Sequence, residues 1–181
     1  GDNLPIKLTL ESSEAALIAD EVVGQIDFKP TDSDGTDGAA VCASIAAVAT
    51  ATFSASVNST KLAFYTGNSE TATEKMSIGA TGDVIMKNTA TGDDTPMVLT
   101  LQTGETDIAA NDVLGKISFQ APDEGEGTDA ILVAASIAAV SEGDFAADAN
   151  ATSLIFYTGA SEAAAAKVKI TSGGHLVPAT D

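Results

Sequence analysis

The sequence repeats itself once over nearly its whole length. Residues 5–10 (PIKLTL) return as residues 96–101 (PMVLTL), and residues 22–28 return as 113–119, both at an offset of 91. After a one-residue insertion in a loop rich in Asp and Gly, the offset is 92, and residues 43–48 and 62–67 return as 135–140 and 154–159. Agreement of this kind indicates two copies of one unit of about 90 residues.

Within each unit apolar and polar residues alternate, which is typical of strands with one buried face. The pattern predicts an all-β fold made of two tandem β repeats, residues 1–87 and 96–181, joined by a polar linker at residues 88–95. The predicted strands of the first repeat lie at residues 6–10, 26–28, 62–65, 76–78 and 84–85, with residues 53–57 continuing the alternation and a turn at residues 82–83.

Two kinds of segment are rich in alanine and allow more than one interpretation. Residues 39–49 are apolar throughout, and we interpret them as a strand buried on both faces because Gly- and Thr-rich segments flank them. A helix is the alternative, since alanine has the highest helix propensity. One helical turn is predicted at each of two segments, residues 69–75 and 161–167, because a serine precedes a run that contains glutamate.

The composition predicts a thin core. Apolar residues make up 44% of the chain, but aromatic residues make up 4% and tryptophan is absent, so much of the apolar content is Ala and Val. Alanine buries little area and so contributes little to stability. A unit of about 90 residues with such a core is marginal alone, and we therefore expect it to associate with other copies.

The charge excludes several classes of partner. Eight Lys and Arg residues against 26 Asp and Glu residues give a formal net charge of -18, which repels nucleic acid and anionic membrane surfaces. No apolar run reaches the roughly 18 residues of a membrane span, and the first residues lack the pattern of a signal peptide. We expect no nucleic-acid partner and no membrane insertion.

The duplication serves as an internal control in the search for catalytic residues. Cys42 is matched by Ala134 and is predicted to be a small buried side chain, and His175 is matched by Asp83 and is predicted to be a turn residue. Nothing in the sequence suggests a Ser-His or Cys-His pair, and most carboxylates fall in loops of differing spacing. The sequence predicts no catalytic residue, no cofactor and no enzymatic activity.

Three kinds of residue are weak candidates for binding. Asp32, Asp34 and Asp37 surround Gly35 and loosely resemble an oxygen-rich calcium loop, but no Glu follows at the twelfth position and the second repeat spaces its acidic residues differently. A charged turn is the favoured interpretation, with calcium as the alternative. The remaining candidates are two matched glycosylation sequons at Asn58 and Asn150, which also suit turns, and two tyrosines predicted to be exposed for sugar stacking, Tyr65 and Tyr157.

Several short motifs resemble a known family. Residues 24–28 (GQIDF), 62–66 (LAFYT), 74–78 (EKMSI) and 82–84 (GDV) resemble the repeat of bacteriophage tail-fibre and appendage proteins. The closing residues, 174–181, are similar to the junction that leads into an endosialidase-type C-terminal intramolecular chaperone. The resemblance implies a homotrimer whose strands are intertwined or stacked about a common axis in a virion appendage.

These observations favour a structural function. The hypothesis is a trimeric, β-rich spacer or shaft of an extracellular or virion fibre, with other fibre or virion subunits as its partners. One alternative is a carbohydrate- or receptor-binding adhesin module that contacts a host surface glycan or receptor. Another is a subunit of a self-assembling cell-surface filament.

Overall fold

The computed structural model of the chain describes residues 5–32, 35–122 and 128–179. It divides into two units, Gly1–Val98 and Leu99–Asp181, and each unit holds one five-stranded antiparallel sheet. The predicted all-β fold in tandem halves is therefore confirmed, while the position of the linker stays a prediction. In the part of the chain that is described, no helix is long and apolar enough to cross a membrane.

Each sheet is a meander in which every strand pairs with the next strand in sequence. A 3-10 turn, Asp37–Ala39, precedes the second strand of the first sheet. The first sheet consists of β1 (Val22–Phe28), β2 (Ala43–Ala49), β3 (Thr60–Thr66), β4 (Thr73–Ile78) and β5 (Val84–Met86). The second consists of β6 (Val113–Gln120), β7 (Val133–Ser141), β8 (Thr152–Thr158), β9 (Ala165–Ile170) and β10 (Leu176–Pro178).

The two sheets share their irregularities as well as their strand order. The register shifts between Val22 and Gly24 in β1, and it shifts at the matched place in β6. The turns before β5 and β10 each contain a glycine with positive φ, Gly82 at 89° and Gly174 at 77°. Glycine adopts this conformation without the steric cost of a Cβ. The two units therefore share the backbone conformation of this turn as well as their sequence.

The core of each sheet is built from small side chains. The largest fully buried side chain among the described residues is that of Ser136. Burying such residues removes little apolar area from water, so the predicted thin core is confirmed. The buried hydrophobic residues are Ala46, Val48, Ala49, Ala63, Ala138 and Val140.

The strand predicted at residues 6–10 is wrong for the single chain. Residues 5–10, which we call the first arm, and residues 96–101, the second arm, lie outside the strands. Within the described residues, the backbone groups of residues 6–10 make no hydrogen bond. The alternation of apolar residues fits a strand, but in the described residues of the single chain the arm pairs with no strand.

Three further predictions from local pattern are corrected. The segment 39–49 is a strand only from Ala43, where one face is buried and the other is half-buried. Residues 53–57 form a tight turn closed by hydrogen bonds between Ser54 and Val57 rather than a strand. The two predicted helical turns are absent from the described residues, because Thr73 and Ala165 begin strands that pair with β3 and β8, and tertiary pairing overrides helix propensity.

Cys42 is exposed, so its predicted burial is wrong. It lies immediately before β2, and its thiol is 3.2 Å from the carbonyl oxygen of Phe28. Burial along β2 begins two residues later, at Ser44. His175, in contrast, is the exposed turn residue that was predicted, with its backbone N–H 3.3 Å from Oγ1 of Thr171.

Candidate assembly surface

One face of the first sheet carries most of its large apolar side chains. In an antiparallel sheet, residues that are directly opposite each other point to the same face. The register places two rows of such residues across the five strands, and together with Phe28 we call them the first apolar face. The rows are Ile26, Ile45, Phe64, Met76 and Met86, and Gly24, Ala47, Leu62, Ile78 and Val84.

Most of the first apolar face is open to solvent. Phe28 is 52% exposed, and Ile26 and Leu62 are each 42% exposed. Apolar side chains in a folded core are normally buried, and large exposed apolar patches mark interaction surfaces. Ile78, Val84 and Met86 are also exposed.

The second sheet presents the same surface at the matched positions, which we call the second apolar face. Phe119 is 54% exposed and Leu176 is 71% exposed. Ile117, Leu154 and Ile170 are exposed as well. An unusual surface that appears in both copies of a duplicated unit is a property of the unit. The rows are Ile117, Ile137, Phe156, Val168 and Pro178, and Gly115, Ala139, Leu154, Ile170 and Leu176.

Each apolar face contains one hollow where its arm meets a glycine. A β-carbon at Gly24 would lie 2.9 Å from Cβ of Leu10, and one at Gly115 would lie 2.9 Å from Cβ of Leu101. Glycine therefore lets the end of each arm approach the sheet closely. The hollows hold about 190 and about 300 Å³ and are lined chiefly by Ile26, Ile45 and Leu62 and by their counterparts Ile117, Ile137 and Leu154.

The opposite face of the first sheet has small residues at its centre and charged residues around them. Ala46, Ala63 and Ser77 lie in one row and are buried. Beside them the Lys61 ammonium lies 2.6 Å from Oε2 of Glu74. This hydrogen bond raises the pKa of Lys61 and lowers that of Glu74. Both members of this ion pair belong to the same unit.

The opposite face of the second sheet replaces this ion pair with another polar network. Position 153 is Ser where the first unit has Lys61, and it donates a hydrogen bond to the carboxylate of Glu142. The hydroxyl and the backbone N–H of Ser172 donate to the same carboxylate. The hydrogen bonds from Ser153 and Ser172 lower the pKa of Glu142 to about 2. Nothing in the sequence predicted this network.

The calcium hypothesis for the Asp-rich loop is not tested by the structure. Asp37 begins the 3-10 turn, and Asp32 packs near Gly38, where a β-carbon would lie 3.1 Å from Cβ of Asp32. Asp34 lies outside the described residues. Among the residues that are described, no group of three His, Cys, Asp or Glu side chains is positioned to hold a metal ion. Calcium binding at this loop stays a prediction.

The tyrosines lie on the polar faces and are half-buried rather than exposed. Tyr65 is opposite Ser44 and Glu74, and burial raises its pKa. The ammonium of Lys116 lies 5.4 Å from the ring centre of Tyr157, within the range of a cation–π interaction. Stacking of a host glycan on these rings stays a prediction.

Both sequon asparagines are exposed and lie directly before a strand. The hydroxyl of Thr60 donates to the carbonyl oxygen of Asn58 at 2.8 Å, and that of Thr152 donates to Asn150 at 2.9 Å. The tight turns lie just before the sequons, at Ser54–Val57 and Ala146–Ala149, so a turn formed by the sequon residues themselves stays a prediction. Glycosylation stays a prediction.

Several solved structures are similar to this chain. No family model matches the chain, and no curated protein sequence matches it. The carboxy-terminal domain of the bacteriophage T5 L-shaped tail fibre, solved with its intra-molecular chaperone domain, is 13% identical with a TM-score of 0.37. The match covers 100% of this chain and 60% of that one.

A second structure of the same T5 domain is also 13% identical, with a TM-score of 0.35, and the match covers 100% of this chain and 87% of that one. At these values the likeness carries no function, symmetry or partner over to this chain.

Proposed function

We propose that this chain is a non-enzymatic structural segment of an extracellular fibre of a virion, in which three copies form a β-rich spacer or shaft. The observation that carries the proposal is the exposure of the two apolar faces. Apolar and polar residues alternate along the strands of each sheet, as in a sheet with one buried face. Within the described residues of each unit, however, the large apolar side chains remain in contact with solvent. Other copies of the chain supply the missing cover.

The exposed area of the chain supports association. The chain exposes 12986 Å² of solvent-accessible surface. Two independent folded domains of half its mass would expose together only about 9,700 Å². The excess of about 3,000 Å² per chain is larger than the roughly 800 Å² that each partner buries in an interface of standard size.

The duplication supports a spacer or shaft. Because the two apolar faces occur at matched positions, each unit presents the same surface to the matching unit of another copy. Adding units in sequence then lengthens the assembly without a new kind of interface. Other fibre or virion subunits would join the ends of such an assembly.

The number of three copies rests on the resemblance of the sequence motifs to tail-fibre repeats. It also suits the surface, because three apolar faces that turn inward around a common axis cover one another and leave the polar faces outside. A closed rotational arrangement of this kind is finite around the axis.

Light scattering after size-exclusion chromatography tests the proposal. A trimer has a mass of about 54 kDa, three times the 18.1 kDa of the chain. A well-folded monomer at micromolar concentration would contradict the proposal, and a stable dimer or tetramer would contradict the number of copies. Negative-stain images of the same sample should show rods rather than compact particles.

A further inference from the structure

Two elements of the first unit have unpaired backbone groups and exposed apolar side chains: the first arm and the outer edge of β5. We propose that the first arm of one copy pairs with β5 of a neighbouring copy and extends that sheet by a sixth strand. The inference rests on the proposed assembly of several copies, and it names the elements that join them.

The first arm has the properties of a strand without a partner. Ile6 is fully exposed and Leu8 is 77% exposed, while the polar residues Lys7 and Thr9 alternate with them. No backbone group of residues 6–10 forms a hydrogen bond within the described part of the chain. Leu10, which packs against Gly24, fixes the end of the arm to β1.

The outer edge of β5 has backbone groups that are available to pair with another strand. The backbone N–H of Lys87 donates to the carbonyl oxygen of Lys75 in β4, the inner neighbour of β5, so Lys87 and Lys75 form a hydrogen-bonded pair. Such pairs alternate along an antiparallel ladder, which leaves the backbone groups of Val84 and Met86 directed away from β4. Val84, Ile85 and Met86 are all exposed apolar residues, so β5 is an uncovered apolar edge of the kind that recruits another strand.

The arm cannot pair with β5 of its own chain. Its end is fixed on β1, and four strand spacings of about 4.8 Å place β5 about 19 Å away. Residues 6–9 span at most about 14 Å when extended, and they would have to run along β5 rather than toward it. Pairing between the two elements therefore requires two chains.

A rotational assembly brings the two elements together. Copies related by a three-fold rotation make heterologous contacts, in which one side of each copy meets the opposite side of the next. β1 and β5 are the two edges of the first sheet. The arm is fixed at the β1 edge, so it lies on the side that meets the β5 edge of a neighbour.

The proposal concerns the first unit. Pro178 of β10 stands where β5 has Met86, and proline has no backbone N–H to donate. Proline on an edge strand is a device that discourages further pairing. The outer edges of the two sheets therefore differ.

Disulfide trapping tests the pairing. In a Cys42→Ala background, which removes the exposed native thiol, Ile85→Cys is combined with Thr9→Cys or with Lys7→Cys. Ile85 lies in the polar-face row of Ser77, and Lys7 and Thr9 alternate with the apolar residues of the arm, so these side chains would share one face. After oxidation we expect covalent dimers and trimers on a non-reducing gel for at least one pair, and none when Asp27→Cys of β1 replaces Ile85→Cys.

The outcomes separate this inference from the proposed function. A trimer by light scattering that gives no covalent species with either cysteine pair would overturn the pairing and leave the proposed assembly standing. A monomer by light scattering would overturn both.

Hydrogen exchange gives a second measurement that needs no substitution. In the assembled protein, we expect alternate amides of residues 6–10 to exchange about 100-fold more slowly than in a free peptide of residues 1–16, because strand pairing protects backbone N–H groups. Equal rates in the assembly and the peptide would show that the arm stays unpaired.

Discussion

Gly67 and Gly159 follow β3 and β8 at matched positions where no side chain fits. A β-carbon at Gly67 would overlap with the carbonyl oxygen of Glu70, and one at Gly159 would overlap with that of Glu162. Both obstacles are backbone atoms of the same turn, which cannot move aside without distorting the entry into the next strand. The sequence match between the two Tyr-Thr-Gly motifs thus reflects the geometry of a turn.

Substitution of these glycines should destabilise the unit that contains them. We expect Gly67→Ala or Gly159→Ala to lower the free energy of unfolding by about 1–3 kcal/mol, the usual cost of forcing extra atoms into a packed site. A β-carbon at Gly104 would have no atom within 4 Å, so Gly104→Ala is the matched control and should change stability by no more than about 0.5 kcal/mol. Urea unfolding measures both, and equal effects would contradict the steric explanation.

The carboxylate of Glu142 should make stability depend on pH in the acid range. Its pKa is lowered from 4.5 to about 2 by the hydrogen bonds from Ser153 and Ser172. Because the folded pKa lies below the unfolded one, the stabilisation is fully present above about pH 4.5 and is lost as the pH falls toward 2. Carboxyl NMR resonances should show Glu142 titrating near pH 2.

A matched variant isolates the contribution of Glu142. Glu142→Gln cannot ionise, so the difference in thermal midpoint between this variant and the unsubstituted protein should shrink as the pH falls below about 4.5. The first unit has Thr50 at the corresponding position and provides no such group. A Glu142 resonance that titrates near pH 4.5 would show that the hydrogen bonds do not hold the charged form.

Neighbouring residues of β1 allow the two faces of a sheet to be compared directly. Ile26 is on the first apolar face, whereas Gln25 is exposed on the opposite face. We expect Ile26→Lys to abolish assembly, because it places a charge in the proposed interface, where an unpaired buried charge is strongly unfavourable. Gln25→Lys should leave assembly unchanged, since the matched residue of the second unit is Lys116.

Sedimentation velocity at several protein concentrations measures this contrast. Far-ultraviolet circular dichroism of the Ile26→Lys variant should retain the β-sheet signal, because Ile26 is already 42% exposed in the single chain. If both variants assembled equally well, the apolar face would not be the interface.

The strands could be predicted from the sequence wherever a partner strand lies in the same unit. Alternation placed β1, and short runs rich in apolar residues placed β3, β4 and β5. The same reasoning placed a strand at residues 6–10, which pair with no strand in the described residues of the single chain. Alternation shows which face of a strand is apolar. It does not show which strand will pair with it or which surface will cover its apolar face, because these depend on tertiary and quaternary contacts.

The candidate surface could be predicted only in part. The alternation of Ile26 and Phe28 with polar residues revealed an apolar face, and the scarcity of aromatic residues revealed that the core is thin. The exposure of that face, the exposed position of Cys42 and the hydrogen bonds of Glu142 depend on contacts between residues far apart in sequence. The glycine inside β1 was the one local signal of the close approach of Leu10.

The charge of the chain opposes the assembly that its apolar faces favour. Each copy carries a net charge of -18, so bringing copies together accumulates negative charge in one particle. Added salt screens this repulsion, with a Debye length that falls from about 30 Å at 0.01 M to about 8 Å at 0.15 M. The proposed trimer should therefore dissociate at a lower protein concentration in 0.15 M salt than in 0.01 M salt.

Sedimentation equilibrium at the two salt concentrations measures this shift. Sodium chloride is suitable because it screens charge without the strong exclusion effects of sulfate. An assembly that weakens as salt is added would indicate that attraction between opposite charges, rather than apolar burial, holds the copies together.

The meander order of the strands also has a consequence for how the protein forms. Every strand pairs with its neighbour in sequence, so the pairings within a sheet close short loops and the contact order is low for a β protein. Folding rate rises as contact order falls. Each sheet can therefore form soon after its last strand leaves the ribosome, and the step that waits is the encounter of separate chains, whose rate depends on their concentration.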